Sequence, residues 1–243
     1  MKIGVISDIH SNKEALEIAL DKLSSCDEII CLGDLCHFGA DINECFDIIS
    51  NLPNFYMVKG NHDQYYIYCY ENKVLNGLAS EFIEYINFMK ENTNPRVYGF
   101  LKGLPYSLTR NINGKKLTFK HFAWKEDLSD TESLAVCPPR QEQIESLFKD
   151  VKSQYVFYGH THFQHSINIK KEHMTRWYIN FGPLGTPHAN QGIAKFGSVE
   201  IDECGEVIIN NYALDYDVTK TKSKIASLDN SYVGKIIDKF FSN

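Results

Sequence analysis

The chain has 243 residues, 43% of them hydrophobic, a composition that can bury one large core. Its net charge is −6 with only four arginines, Arg96, Arg110, Arg140 and Arg176, which excludes a generic clamp on a nucleic-acid polymer because such clamps need clustered basic side chains. Residues 2–7 are too short for a signal-peptide core and no apolar run approaches the ~20 residues of a membrane span, so a cytoplasmic protein without a membrane partner is expected.

The first sixty residues alternate in type. Strands are predicted at 2–7, 28–32 and 54–58, with helices near 12–24 and 42–50 between them. This alternation implies parallel strands with right-handed crossovers, whose ligands collect at the carboxyl ends of the strands. Asp8, Asp34 and Asn61 stand at those ends. Residues 64–104 change character, with an aromatic-rich stretch and then a helix over 79–91, and read as a helical insert within a single domain spanning 1–243. Strands at 106–112 and 116–121 form a hairpin around Asn113-Gly114. A loop over 122–137 precedes a helix that opens at Pro138-Pro139 and runs to about 150. Strands then follow at 154–158, 164–169, 175–181, 193–201 and 206–213, and predict a second, largely antiparallel sheet. Spaced apolar residues Val233, Ile236, Ile237, Phe240 and Phe241 predict a final helix laid on the body through one face.

Seven cysteines without a Cys-x-x-Cys pair read as reduced thiols, and Cys31 and Cys36, which flank Asp34, read as packing residues. The chemistry lies in the strand ends. Asp8 and His10 are two apart, and extended geometry would send both side chains to one face. Gly33 turns the chain sharply and exposes the Asp34 carboxylate at a sheet edge where two cations can share it, which leaves Asp41 as the cap of the next helix.

Gly60-Asn61-His62-Asp63 is the most specific element: the Asn61 amide oxygen suits a cation and the His62 imidazole suits a proton donor. Gly159-His160-Thr161-His162 repeats the Asp8/His10 spacing with two imidazoles, and His121 closes another strand. Singly, these motifs are caps, turns or surface histidines. Together they form the donor set of a two-metal hydrolytic site. His37, His165 and His173 lack strand-end partners and read as exposed or packing residues, whereas His188, in the Gly/Pro-rich loop after Asn180, is a candidate substrate contact.

These blocks, Asp8-Ile-His10-Ser-Asn12, Gly33-Asp34, Gly60-Asn61-His62-Asp63, His121 and Gly159-His160-Thr161-His162, resemble the calcineurin-like metallophosphoesterases. Gly39-Ala-Asp-Ile-Asn-Glu44, Leu104-Pro105 and Asn180-Phe-Gly-Pro-Leu-Gly-Thr-Pro resemble the compact bacterial and archaeal phosphodiesterase-type branch. The resemblance implies an α/β fold, a four-layer α/β/β/α sandwich of two mixed sheets flanked by helices. It implies two divalent metal ions, manganese, iron, zinc or nickel. One would take Asp8, His10 and His162 and the other Asn61, His121 and His160, with Asp34 bridging. His62 would be the proton donor or transition-state stabiliser, and Asn12 a phosphate neighbour.

The activity implied is hydrolysis of a phosphodiester or phosphomonoester of a small molecule or nucleotide, dinucleoside polyphosphates included, by direct attack of a metal-bridging hydroxide. The same resemblance reaches protein serine/threonine phosphatases, which usually grip phosphate with arginines where only Arg140 and Arg176 are available here. It also reaches a non-catalytic scaffold of the retromer, in which the catalytic positions do not survive. The intact donor set favours the enzyme. Phe122 stands where Gly is usual, and Phe181 and His188 where Pro and Arg are common, which points to an altered substrate pocket.

Overall fold

The structure, a computed structural model, describes residues 1–75, 77–123, 138–170, 174–186 and 192–242. Strands β1 (Lys2–Ile6), β2 (Glu28–Cys31) and β3 (Phe55–Met57) are joined by helices α1 (Lys13–Lys22) and α2 (Ile42–Ser50). They pair in parallel, with Ile6 opposite Cys31 and Cys31 opposite Met57, so three strands end at one level. The insert holds α3 (Asn61–Tyr70), α4 (Ser80–Glu91) and α5 (Arg96–Lys102). Next come β4 (Ser107–Ile112), β5 (Lys115–Lys120), α6 (Gln141–Leu147), β6 (Tyr155–Phe157), β7 (His165–Lys170) and β8 (Thr175–Asn180). The chain closes with β9 (Ile193–Ile201), β10 (Val207–Asp215), α7 (Val218–Ala226) and α8 (Val233–Phe240).

One sheet runs β10-β9-β1-β2-β3 and the other β4-β5-β6-β8-β7. The predicted second sheet is corrected in two respects. β9 and β10 leave it to join the first sheet, with Lys2 of β1 antiparallel to Glu200 of β9. What remains is mixed, parallel through β5, β6 and β8 and antiparallel at its edges. Alternation of apolar residues identifies a strand but carries no information about its partner, and α6 between β5 and β6 supplies the crossover that a parallel pair requires. The β4–β5 hairpin turns at Asn113 and Gly114 with φ of +45° and +78°, the primed turn that matches strand twist.

Period-two alternation builds the middle of the molecule. Ile3, Val5, Ile30 and Leu32 of the first sheet meet Leu117, Phe119, Phe157 and Ile179 of the second in a buried layer. Phe181 lies in this layer, its ring 5.9 Å from that of Phe157, so it is inter-sheet packing rather than a substrate contact. On the outer faces, Ala15, Leu16 and Ala19 of α1 pack on the first sheet. Ile144 of α6 and Phe148 cover Tyr158 and Tyr178 on the second. Four layers result.

Cys26, Cys31, Cys36, Cys45, Cys69 and Cys204 are free, and burial pushes the thiols of Cys31, Cys36 and Cys45 well up, as inert packing groups. Cys137, His173, His188 and most of the predicted loop 122–137 lie outside the described residues. Among the described residues no helix is long and apolar enough to cross a membrane.

Candidate metal centre

Every predicted metal donor stands at one edge of the sandwich, just beyond the carboxyl ends of β1, β2, β3, β5 and β6. The backbone there is not extended. Asp8, His10, Asp34, His160 and His162 have φ of +54°, +47°, +60°, +67° and +58°, in the left-handed region that non-glycine residues rarely adopt. This corrects the extended geometry expected for Asp8 and His10. Their side chains converge because each loop curls sharply, and the curl is held by neighbouring backbone: Asp8 N donates to Gly33 O at 3.0 Å, His10 N to Asp34 O at 3.0 Å and Ser11 N to Leu35 O at 2.8 Å. Left-handed residues cluster where surrounding structure over-determines them for a function.

Two glycines let the loops touch. A Cβ on Gly60 would collide with Asp34 Oδ1, and one on Gly159 would collide with Ser7 Oγ. α3 begins at once after Gly60, so Asn61 and His62 lie in its first turn and the His62 N–H donates to Asp34 Oδ1 at 2.8 Å.

The donor atoms form two adjoining groups. In one, His162 Nε2 is 3.4 Å from Asp8 Oδ1 and 3.3 Å from His10 Nε2. In the other, Asn61 Oδ1 is 3.2 Å from His121 Nε2 and 3.0 Å from His160 Nδ1. Asp34 Oδ2 lies between them, 3.1 Å from His121 Nε2 and 3.8 Å from His10 Nε2. Ligand atoms of Asp8, His10 and His162, and separately of Asp8, Asp34 and His121, fall within 4.8 Å of one another, as do those of His10, Asp34 and His62.

The histidines are prepared as ligands. His10 Nδ1 faces the Cys36 carbonyl at 2.9 Å and His121 Nδ1 the Leu32 carbonyl at 2.7 Å. A carbonyl only accepts, so each Nδ1 carries hydrogen and each Nε2 is turned into the cluster, as in metal-binding histidines; the His10 ring is neutral there, whereas His121, facing the Asp34 carboxylate, would give up its Nε2 proton to an arriving ion. Thr186 Oγ1 holds His162 Nδ1 at 2.9 Å. The donor set is oxygen and nitrogen, which suits intermediate divalent ions.

Charge follows the same logic. Burial would raise Asp8, but His162 and His121 bring it down to about 2, and His121 with His62 holds Asp34 well below the usual carboxylate range against burial. Burial lowers His10 to about 4 and His160 to about 3. Burial opposes charge on His121 too, yet Asp34 and Asp8 hold it up to about 9.

Three supporting residues escaped the sequence analysis. Asp63 accepts N–H bonds from Asp34 and Gly60 on Oδ2 (2.9 Å each) and from Leu35 and Cys36 on Oδ1 (2.9 and 3.3 Å), which fixes the Asp34 loop. Its place in the Gly60–Asp63 block was the available signal. Asn180 ties Gly159 O at 2.8 Å and Thr161 Oγ1 at 3.0 Å. His37, read as an exposed or packing residue, is fully buried with its Nδ1 3.0 Å from His62 Nδ1, and no sequence feature marked it.

A calcineurin-like phosphoesterase superfamily domain matches residues 1–203. The chain belongs to the calcineurin-like phosphoesterase superfamily. A relative in Methanocaldococcus jannaschii, uncharacterized protein MJ0912, is 31% identical over 242 residues, covering 92% of this chain and 91% of that one. The hypothetical protein PH1004 from Pyrococcus horikoshii OT3 superposes with a TM-score of 0.79 at 16% identity, over 100% of this chain and 99% of its own. A metallophosphoesterase from Sphaerobacter thermophilus gives 0.69 at 21% identity, over 97% and 98%.

Within this phosphoesterase-family chain, Asn12 is fully buried: Oδ1 caps α1 by accepting from Ala15 N at 3.1 Å, and Nδ2 donates to Gly185 O at 3.2 Å. Both ends of its amide are thus engaged within the protein. Asp41 precedes α2 without capping it, because its carboxylate takes Lys224 Nζ at 2.8 Å. Phe122 is buried with its ring 4.8 Å from that of His160, a wall behind the donor.

Proposed function

We propose that the protein is a phosphoesterase that works with two divalent ions. One is held by Asp8, His10 and His162, the other by Asn61, His121 and His160, and Asp34 bridges them. The position of Asp34 Oδ2, within 4 Å of an Nε2 atom from each group, carries this reading. Ions bound there would neutralise phosphate oxygens and lower the pKa of water toward neutrality.

The chain's own contribution is positional. Nδ1 hydrogen bonds from His10 and His121 to backbone carbonyls fix ring orientation before any ion arrives. The Asp63 carboxylate fixes the loop that carries Asp34. His62, half-buried in the first turn of α3, offers a proton or hydrogen bond to the departing oxygen.

A small phosphate ester, a nucleotide or dinucleoside polyphosphate included, fits this site better than a phosphoprotein. Arg110 pairs with Glu28 at 3.0 Å and Arg176 donates to Tyr178 Oη at 3.3 Å, so neither is drawn into the donor cluster, and the ions would do most of the neutralising. The test is hydrolysis by manganese-loaded protein of a phosphomonoester, a bis-aryl phosphodiester and diadenosine tetraphosphate. Turnover of at least one is expected, with Asp34→Asn inactive and His62→Ala slower by a factor on the order of 10²–10⁴. Absence of turnover with manganese, iron, zinc and nickel, or variants equal to wild type, overturns the reading.

A further inference from the structure

His37 is fully buried, and its ring packs 5.8 Å from Phe82 and 6.2 Å from Tyr85. Its Nδ1 meets His62 Nδ1 at 3.0 Å, while its Nε2 is buried with no hydrogen-bond partner among the described residues. The backbone is bent to place it: φ is +73° at His37 and +69° at Phe38, held by Gly39 N donating to His10 O at 2.9 Å and Asp41 N to Ser11 O at 3.0 Å. Strain of this kind at a donor cluster points to a placed side chain.

Two neutral imidazoles that meet nitrogen to nitrogen at hydrogen-bond distance share one hydrogen. Were it carried by His62, His37 would keep its own hydrogen on Nε2, a buried donor without an acceptor, which folded proteins avoid most strictly. Carried by His37, it leaves His37 Nε2 as a bare lone pair among aromatic rings and puts the hydrogen of His62 on Nε2. We infer that His37 is a positioning residue that fixes His62 in its Nε2–H tautomer, so that His62 serves as a neutral hydrogen-bond donor to a substrate oxygen. The second half rests on the phosphoesterase reading; the tautomer itself does not. No proton leaves His62 in this role, so neither ring becomes an anion. The gain is a fixed donor aimed where negative charge develops.

Long-range 1H–15N spectra of the histidine-labelled protein with zinc added read the tautomers directly. Hydrogen on His62 Nε2 and His37 Nδ1, with the other two nitrogens bare, is the expected pattern; hydrogen on His62 Nδ1 overturns the proposal. His37→Asn keeps an N–H near the Nδ1 position and should leave the His62 pattern unchanged. His37→Asp presents only an acceptor and should move the His62 hydrogen to Nδ1, with kcat on a phosphate ester reduced on the order of 10²-fold and KM little changed. A His62 pattern identical in wild type and His37→Asp also overturns it. The expected tautomers without hydrolysis of any ester would support the positioning assignment while sinking the phosphoesterase reading.

Discussion

Asp63 accepts four backbone N–H groups from the two loops that flank Asp34 and Asn61, and it is fully buried. Burial and the neighbouring Asp34 carboxylate push it up to about 6, against the donors that favour its charge. Removing an acceptor from buried donors costs about 1–3 kcal/mol per group, so Asp63→Ala should destabilise the fold by about 3–5 kcal/mol. Urea denaturation checks this; a loss under about 1 kcal/mol would mean that water replaces the carboxylate. The donors themselves were legible because each is a chemically specific residue after an apolar run. Asp63's role was hidden by its own motif, where Asn61 and His62 account for the chemistry, and that of His37 because burial beside His62 is set by a left-handed turn.

At the scale of elements, the strands were read nearly to the residue, while α3, α5 and α7 were not. α3 buries Asn61, Asp63, Gln64, Tyr65, Tyr66, Ile67 and Cys69, which covers nearly its whole circumference and leaves no periodic stripe to read. α7 fails in the opposite way, with only Thr221 and Ile225 buried. The final helix was predicted from Val233, Ile236, Ile237, Phe240 and Phe241; Val233, Ile236 and Phe240 are buried in it, Ile237 is half-buried, and Phe241 is buried just past its end. Both α7 and α8 lie beyond residues 1–203 of the family domain, yet α8 packs beside the site and α7 is tied to α1. Phe240 packs 4.8 Å from Phe38 and 6.2 Å from His162, and Lys224 joins Glu14 to Asp41. Phe240→Ala should therefore lower stability by about 3–5 kcal/mol and weaken metal binding through His162. Calorimetric titration with zinc measures the second effect, and an unchanged affinity would confine Phe240 to packing.

For the whole molecule without metal, the buried imidazoles set the pH dependence. In the unfolded chain each titrates near 6.5, whereas burial holds His10 at about 4 and His37 and His160 at about 3. As pH falls below 6.5 the unfolded chain binds protons that the folded one does not, so stability is lost toward acid. His121 acts oppositely: held up to about 9, it keeps a proton above 6.5 that the unfolded chain releases, and that contribution fades as pH rises to about 9. Chelator-treated protein should be most stable near pH 6.5, read from urea midpoints across the range. A midpoint still rising well below pH 6 would contradict it. Added divalent ion should stabilise the fold increasingly with pH, since its ligands bind deprotonated.

The sequence by itself determined which residues can bind metal and that they follow strands in a fixed order, because side-chain chemistry and period-two patterning are local properties. Strand–helix alternation over the first sixty residues also determined a parallel β-α-β-α-β unit, since it admits few topologies, while the four-layer sandwich was implied by the resemblance of the motif blocks. Only the tertiary structure decided that β9 and β10 complete the first sheet, because strand pairing is a long-range choice. It alone set the loop curls that bring Asp8 to His162 and Asn61 to His121, for those left-handed conformations depend on backbone contacts from distant segments. It alone placed His37 against His62, a contact between a loop and the first turn of α3, 25 residues apart, that no spacing rule records.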